Sequence, residues 1–409
     1  MKQSQILRPI AAALLALGAT ASHAVSFTQN DVTLDINGTV NGFYVNREVK
    51  TNDRATGQNF TSNNSELTNG LLPGWINFVA TTTAGGQDLK AHISFAPGIN
   101  NNSKVIGLPI GNNASGAGNV NPYSQIDTRN VYFQFGNNDW GTLKFGRDIG
   151  LFGQNIILSD MTLIGVGGTS NAGIPYNTTF GMIGHGYMYT GFQPQITYTT
   201  PTMGGFSASA GVFQPSKFAG NETKTPGLQA MAQYDWKGSS TSGKVWGGLI
   251  HQSTSCSNDS TTTCSSAAKT FNADGQEIGV KAGMGNFEAV GYAFAGKGLG
   301  LSTTGALFFN GGNNNGSTNG DRVDSSGHFL QGTYKIGATK VGLNFGQNTD
   351  RNGGLAGEIK NRSYTFGVYH ALNKYVTLVG EINQEKITDN NSLVDTKTRS
   401  ISLGGIMFF

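Results

Sequence analysis

The chain has 409 residues and a formal net charge of +3, and only 12% of its residues are charged. A water-soluble domain carries charge on about a quarter of its residues, and the near-neutral balance argues against a nucleic-acid partner. The chain has 60 glycines, yet no segment reaches the ~18 apolar residues that a transmembrane helix needs. These limits favour an all-β protein whose strands cross a membrane.

The first 24 residues have the features of a secretory signal peptide. Basic residues precede an apolar Ala/Leu-rich stretch over 10–18, and Ser22 and Ala24 are the small residues that a signal peptidase reads. A buried N-terminal helix is the weaker alternative, because no helical pattern follows. We therefore predict a cleaved signal peptide over 1–24 and one exported domain over 25–409.

Segments of about ten residues with alternating polar and apolar side chains recur along the exported domain. Clear examples lie at 32–40, 88–95, 341–345, 363–368 and 376–382. A strand of a soluble sandwich also alternates, so one segment decides nothing. The repetition of the pattern favours a transmembrane barrel.

The connections between these segments alternate between short turns and long polar loops. The short turns are predicted at 84–86, 136–139, 202–205, 237–243, 284–286, 335–338 and 371–374. The long loops are predicted at about 50–70, 98–125, 148–183, 215–226, 253–274, 297–325, 349–361 and 387–398. This order predicts an antiparallel transmembrane β-barrel of about 16 strands with its long loops on one side, a size that leaves an aqueous channel.

Two segments are expected to complete the barrel. The third long loop, 148–183, is glycine-rich and irregular, and a loop of this length is usually functional. We predict that it folds inward and narrows the lumen. The last segment, 399–409, alternates up to the terminal Phe409, and its pairing with the first strand would remove the open sheet edges.

The two cysteines, Cys256 and Cys264, lie close together in one predicted loop. In an oxidising compartment they are predicted to form a disulfide. A metal site is the alternative, but no histidine or further cysteine lies nearby, so neither a metal nor a cofactor is predicted. No histidine pair has a metal-binding spacing and no nucleophile-elbow motif occurs, so the protein is not predicted to be an enzyme.

Three features of the chain resemble the general porins of Gram-negative bacteria, most closely those of β-proteobacteria. They are the segment Gly141-Thr142-Leu143-Lys144-Phe145-Gly146-Arg147-Asp148, the stretch Ser159-Asp160-Met161, and the terminal Phe409 together with the signal peptide. The likeness covers essentially the whole exported domain. It implies a homotrimer in the outer membrane, in contact with lipid and lipopolysaccharide, that passes small hydrophilic solutes and ions.

In the family that the chain resembles, basic side chains on the barrel wall face acidic side chains on the third loop. The resemblance assigns the constriction residues as Arg129, Lys144 and Arg147 on the basic side, Asp148 and Asp160 on the acidic side, and Trp75 where enterobacterial porins carry a basic residue. Opposed charges at a narrow point select ions by sign and orient polar solutes. An ion pair between Arg147 and Asp148 at the root of the loop is an equal alternative. Beyond Asp160 the loop lacks the acid that the family carries, so a weakly polarised constriction is expected.

Strand alternation conflicts with one of these assignments. Arg129 is separated by an even number of positions from Val131 and Phe133, so its side chain should point to the same face of the strand, which is predicted to face lipid. Either a bulge intervenes or the lumen is locally apolar. Lys144 lies between Leu143 and Phe145 in one strand, so its side chain points to the other face and is predicted to face water.

The predicted function is passive diffusion of small hydrophilic solutes and ions through an outer-membrane pore. A channel selective for small organic acids, including aromatic ones, is the alternative, because Trp75 and the apolar stretch 162–166 would suit such solutes. A barrel enzyme and an adhesin with a plugged lumen have less support, since no Ser/His pair and no additional domain are recognisable.

Overall fold

The computed structural model describes residues 25–99, 126–169, 178–215, 221–256, 270–304, 322–353 and 355–409. These residues form the predicted fold class, a closed antiparallel barrel of 16 strands. The predicted signal peptide and Cys264 of the predicted disulfide lie outside the described residues. In the part of the chain that is described, no helix is both long and apolar enough to span a membrane.

The sheet contains the strands β1 (Val25–Gln29), β2 (Val32–Asp53), β3 (Gln58–Thr68), β4 (Trp75–Ala84), β5 (Gln87–Pro97), β6 (Ile126–Asn137), β7 (Gly141–Ile149), β8 (Phe192–Thr199), β9 (Phe206–Phe213), β10 (Asn221–Glu222), β11 (Gly227–Lys237), β12 (Thr241–Cys256), β13 (Thr270–Met284), β14 (Phe287–Lys297), β15 (Val323–Ile336), β16 (Thr339–Asn352), β17 (Ile359–Ala371), β18 (Val376–Asp389) and β19 (Val394–Phe408). Two of the sixteen barrel strands are interrupted. β3 and β4 form one of them, since both pair with β2. β1 continues β19 along the other edge of β2. The short strand β10 pairs only with the end of β12.

The barrel closes as the sequence predicts, between its first and last strands. β19 pairs with β2 from Val394 opposite Asp53 to Phe408 opposite Thr39. The terminal residue completes the seam, since Gly38 N donates to Phe409 O at 2.8 Å and Phe409 N donates to Gly38 O at 3.0 Å. No edge of the sheet is therefore left open to lipid at this seam.

All seven predicted short turns join consecutive strands, whereas three predicted long loops are shorter than expected. The connections after β2, β16 and β18 leave only 54–57, 353–358 and 390–393 outside the strands. The prediction was wrong there because these strand ends are polar on both faces, so no apolar alternation revealed them. Such strands extend beyond the apolar height of a membrane, where neither face needs to be apolar.

The two faces of the sheet differ as in a transmembrane barrel. Ile278, Leu330, Leu343 and Ile382 are among the large apolar side chains exposed on the outside. The inward positions that alternate with them are mostly polar and buried, including Glu277, Gln331, Asn344, Glu381 and Asn383. Because a transmembrane barrel turns apolar side chains to lipid, the apolar positions of the predicted alternation are on the expected side.

Part of the barrel interior is filled by a hydrophobic core rather than by solvent. Wall side chains of β12, β14 and β15 pack there against the chain segment between β7 and β8. The wall contributes Trp246, Ile250, Tyr292, Phe294 and Phe329, and the segment contributes Phe152, Ile156, Met182, Tyr187 and Met188. The open space of the barrel therefore lies to one side.

Candidate functional site: the constriction of the lumen

The segment between β7 and β8, residues 150–191, enters the barrel and is called the constriction loop below. Its described parts contain one turn of α-helix, α1 (Gln154–Ile157), and a 3-10 helix (Met161–Ile164). Gly153, at φ 78°, begins the helical turn in a conformation that glycine adopts without strain. The inward-folded third loop predicted at 148–183 is confirmed, with slightly later bounds.

Wall side chains hold the constriction loop by accepting hydrogen bonds from its backbone. Glu381 Oε2 accepts from Val166 N at 2.8 Å and Gly167 N at 2.7 Å. Glu277 Oε2 accepts from Gly153 N at 2.9 Å. Further bonds join Phe152 N to Gln229, Met161 N to Gln331, Thr169 N to Glu385 and Gly186 N to Asn348. An irregular backbone away from water needs such acceptors, because an unpaired buried N–H is costly.

Close backbone contact completes the attachment of the loop to the wall. A Cβ atom on Gly346 of β16 would lie 1.6 Å from His185 O, and one on Gly70 would lie 2.0 Å from Gly165 O. Only glycine allows the two backbones to approach so closely. The constriction loop is thus in direct backbone contact with the wall at Gly346 and with the segment before β4 at Gly70.

Two further segments enter the lumen beside the constriction loop. Residues 69–74, between β3 and β4, contact it through hydrogen bonds from Leu71 N to Gly165 O at 2.8 Å and from Thr179 N to Gly70 O at 3.0 Å. Ser302 and its neighbours, after β14, are held by Asp350 and Asn348 of the wall. The narrow part of the barrel is therefore built from three inward segments.

The remaining opening is a cavity of about 1550 Å³. Its basic lining residues are Lys90, Arg129, Lys144, Arg147, Lys237, Lys244 and Lys281. Its acidic lining residues are Asp35, Asp127, Asp148, Asp235 and Glu288. None of these acids belongs to the constriction loop, whose described lining side chains are neutral. The opening is therefore not a gap between a basic wall and an acidic loop.

A bulge brings Arg129 into the lumen. The register of β5 and β6 shifts between Ile93 and Phe95, so that two residues of β6 lie opposite Ser94. Arg129 and Asn130 both point inward as a result, and Arg129 is only 8% exposed. The sequence left two explanations for the position of Arg129, a bulge or a locally apolar lumen, and the structure shows the bulge.

Arg129 packs against two aromatic rings that also contact each other. Its guanidinium carbon is 5.3 Å from the ring centre of Trp75 and 5.6 Å from that of Phe192. The two rings are 5.7 Å apart. Asp127 Oδ2 accepts a hydrogen bond from Arg129 Nε at 3.0 Å, so the guanidinium is fixed in orientation.

Asp148 is paired with Lys144 rather than with Arg147. The Lys144 ammonium donates to Asp148 Oδ2 and lies 4.9 Å from the centre of the Tyr132 ring. Asn130 Nδ2 donates to Asp148 Oδ1 at 2.7 Å. Arg147 lines the cavity with a buried Nε that has no hydrogen-bond partner in the described structure. Five of the six predicted constriction residues, namely Trp75, Arg129, Lys144, Arg147 and Asp148, therefore line one cavity.

The structure places the sixth, Asp160, inside the constriction loop and not on the cavity. Its carboxylate accepts hydrogen bonds from Thr162 N at 2.9 Å, Thr162 Oγ1 at 2.8 Å and Tyr187 Oη at 2.7 Å. Met182 N donates to it at 3.2 Å. Burial raises the pKa of Asp160, whereas these hydrogen bonds oppose the rise. The carboxylate ties together parts of the loop that are 22 residues apart.

Several lining residues were not singled out from the sequence. Lys90 lies in an alternating strand like any solvated lysine, and Leu72, Leu158, Tyr189 and Phe192 lie in segments without periodicity. The alternation of Lys90 opposite Leu89 and Ala91 is a signal that could have placed it on the lumen side. No sequence signal marks the other four, because an inward loop has no period.

No group of three or more His, Cys, Asp or Glu side chains within the described ranges is arranged to hold a metal ion.

A family model described as Gram-negative porin matches residues 11–390. Three solved structures are similar at low identity. DcaP, an outer membrane channel of Acinetobacter baumannii, has a TM-score of 0.61 at 14% identity, covering 94% of this chain and 99% of its own. The anion-selective porin from Comamonas acidovorans has a TM-score of 0.55 at 17% identity, covering 92% and 100%. OmpF of Salmonella typhi has a TM-score of 0.52 at 13% identity, covering 93% and 100%. These likenesses show a shared fold. No curated protein matched the sequence.

Proposed function

Since this chain belongs to the Gram-negative porin family and is an outer-membrane pore for the passive diffusion of small solutes, we propose that its constriction passes anions in preference to cations. The family and the fold are those of a channel. The preference is argued from the charges that line the cavity.

The observation that carries this proposal is an excess of basic over acidic side chains on the cavity, seven against five. Arg129, Lys144, Lys244 and Lys281 each form an ion pair with a carboxylate. Among the described lining residues, Lys90, Arg147 and Lys237 form no ion pair, and Asp35 is the one carboxylate that forms none. Clefts that expose one sign of charge between walls of low dielectric raise the local concentration of the opposite ion. The uncompensated positive charge therefore favours anions.

We assign different roles to the charged residues of the constriction. Lys90, Arg147 and Lys237, opposed only by Asp35, supply the net field, while Arg129 and Lys144 are balanced locally by Asp127 and Asp148. Opposed fixed charges on one wall orient a dipolar solute as it passes. Asp160 contributes to the shape of the loop rather than to the field.

The apolar side chains beside these cations favour a second candidate, a channel selective for small organic acids, including aromatic ones. Leu72, Leu158 and Phe192 are only half-buried and line the cavity. A pore for inorganic ions alone has no need of them.

The reversal potential in planar bilayers under a tenfold KCl gradient tests the anion preference. The wild-type potential is expected to have the sign of a chloride-selective pore. Arg147→Gln and Lys90→Gln should each lower the chloride-to-potassium permeability ratio by about 2- to 5-fold, since unit charges a few ångström apart in water interact by ~1 kcal/mol. Lys374→Gln is the matched control, because Lys374 lies in an exposed turn and does not line the cavity. A wild-type potential near zero, or variants equal to the control, contradicts the proposal.

We further propose export through a signal peptide cleaved between Ala24 and Val25, and assembly as a homotrimer within outer-membrane lipid and lipopolysaccharide. Membership of the family and the apolar outer face of the barrel support this assembly. N-terminal sequencing of exported protein should begin at Val25. Sedimentation in detergent should give three chains per particle, and a monomer would reject the trimer.

A further inference from the structure

Trp75, Arg129 and Phe192 form a compact group in which one cation packs against two aromatic rings that are tilted by 60° to each other. The ring and guanidinium distances lie between 5.3 and 5.7 Å. The three come from different parts of the chain, since Phe192 follows the constriction loop and Trp75 begins β4. Cation–π contacts of this length are attractive, and they hold the aromatic rings beside a fixed positive charge.

Apolar side chains of the inward segments, called the apolar patch below, line the same cavity. Leu72, Leu158 and Tyr189 pack on the hydrophobic core with one side and line the cavity with the other. Fully buried leucines would serve the core equally well. Their partial exposure leaves apolar surface in the narrow part of an aqueous channel, where contact with an apolar solute would be favourable.

Two buried hydrogen-bond donors on the same cavity have no acceptor in the described structure. They are Trp75 Nε1 and Arg147 Nε. Buried side-chain donors are nearly always paired with protein or water. Neither atom is itself exposed to the cavity, so the positive charge that a carboxylate would meet is that of the Arg147 guanidinium and the Lys90 ammonium.

From this arrangement we propose that the constriction contains a binding subsite for small aromatic carboxylates. The aromatic ring lies against Trp75, Phe192 and the apolar patch, and the carboxylate lies towards Arg147 and Lys90. An inorganic anion would use the charge but not the apolar surface. A neutral sugar would stack on Trp75 but leave the cations without a partner.

This subsite rests on the proposed anion preference of the pore, because the carboxylate uses the same uncompensated cations. It gives the second candidate a defined place in the constriction and adds a saturable step to passive diffusion. A solute that binds within the constriction slows the passage of other ions while it is there.

The wild-type protein provides the first test. Chloride current through planar bilayers is measured while benzoate, acetate or benzyl alcohol is added. Benzoate is expected to reduce the current saturably at a concentration at least about 10-fold below that of acetate, because only benzoate has both a ring and a charge. Benzyl alcohol has the ring alone and is expected to block no better than acetate.

Variants of the aromatic group provide the second test. Trp75→Leu and Phe192→Leu should each raise the half-blocking concentration of benzoate about 3- to 10-fold, the usual effect of losing one aromatic contact. Neither should change the weak effect of acetate. Phe366→Leu is the matched control, since Phe366 is 48% exposed on the outer face, and it should leave the benzoate effect unchanged.

The outcomes separate this inference from the proposed function. A pore that prefers chloride but is blocked equally by benzoate and acetate overturns the subsite and leaves the anion preference intact. A pore without ion preference overturns the anion preference, while benzoate block that is lost in Phe192→Leu still supports an aromatic contact. If Trp75→Leu does not fold, the wild-type comparison and Phe192→Leu decide.

Discussion

At the scale of single residues, one buried carboxylate organises the constriction loop. Asp160 is 0% exposed and receives hydrogen bonds from Thr162, Met182 and Tyr187. All of these groups donate, so the site requires an acceptor that has no hydrogen of its own. This distinguishes the carboxylate from an amide of the same shape.

Asp160→Asn is expected to loosen the constriction loop without changing the sign of ion selectivity. The amide NH₂ would face a backbone N–H or the Tyr187 hydroxyl, and a buried unsatisfied donor costs about 1–3 kcal/mol. Limited proteolysis of the folded barrel should cleave within the loop faster than in wild type. Asp139→Asn, in an exposed turn, is the control. Unchanged proteolysis together with a shifted reversal potential would show that Asp160 acts on ions instead.

Five of the residues that line the cavity could be singled out from the sequence, but not how they are paired. Strand alternation alone predicts that Arg129 points outward. The bulge opposite Ser94 makes it point inward, and no residue type in the sequence marks that bulge. Lys144 is placed correctly because its strand is regular. The pairing of Asp148 with Lys144 rather than with its neighbour Arg147 depends on side-chain directions, which spacing along the chain does not give.

At the scale of elements, the constriction loop is attached through its backbone to the wall strands. Glu381 of β18 accepts from two consecutive loop amides, and its other oxygen accepts from Tyr369 Oη at 2.7 Å. Such bonds do not depend on which side chains the loop carries. They add to the contacts that the loop makes through its own buried side chains, such as Asp160 and Phe152.

Glu381→Ala is expected to release the middle of the loop, whereas Glu381→Gln should largely preserve it. Alanine leaves the amides of Val166 and Gly167 without acceptors, at about 1–3 kcal/mol each. Glutamine retains one oxygen for them. Open-channel current noise should rise strongly in the first variant and little in the second. Equal noise in both would show that the hydrogen bonds do not hold the loop.

The strands could be predicted from sequence far better than the loop that crosses between them. In strands that face lipid, apolar and polar side chains alternate with period 2, and the seven short turns mark where these strands end. The constriction loop packs against other elements on several sides, so its apolar residues follow no period. The apolar wall residues beneath it, such as Tyr292 and Phe294, share the inward parity of polar residues elsewhere and give no separate signal.

At the scale of the whole molecule, the barrel is partly a pore and partly an ordinary protein interior. The core around Trp246 and Phe329 fills the side of β12 to β15, and the cavity is lined mainly by β2 and β4 to β9, with a few residues of β11 to β14. The strand number, which alternation predicts correctly, sets the size of the barrel. The width of the conducting path is set instead by the inward segments.

Replacing residues 154–188 by a short Gly/Ser link is expected to raise the single-channel conductance about 2-fold or more, because an emptied sixteen-strand barrel has a wide aqueous channel. Bilayer recordings measure the step size. Unheated electrophoresis, in which a folded barrel migrates differently from the unfolded chain, shows whether the strands still close. A closed barrel with an unchanged step would mean that another segment limits the current.

The attachment of the loop to β18 has a consequence for biogenesis. The amide of Val166 and the carboxylate of Glu381 are 215 residues apart in sequence, and β18 belongs to the last hairpin of the chain. The loop gains these acceptors only when that hairpin joins the sheet, the same step in which β19 reaches β2. The bonds that fix the middle of the constriction loop and the bonds that close the seam therefore depend on the same hairpin.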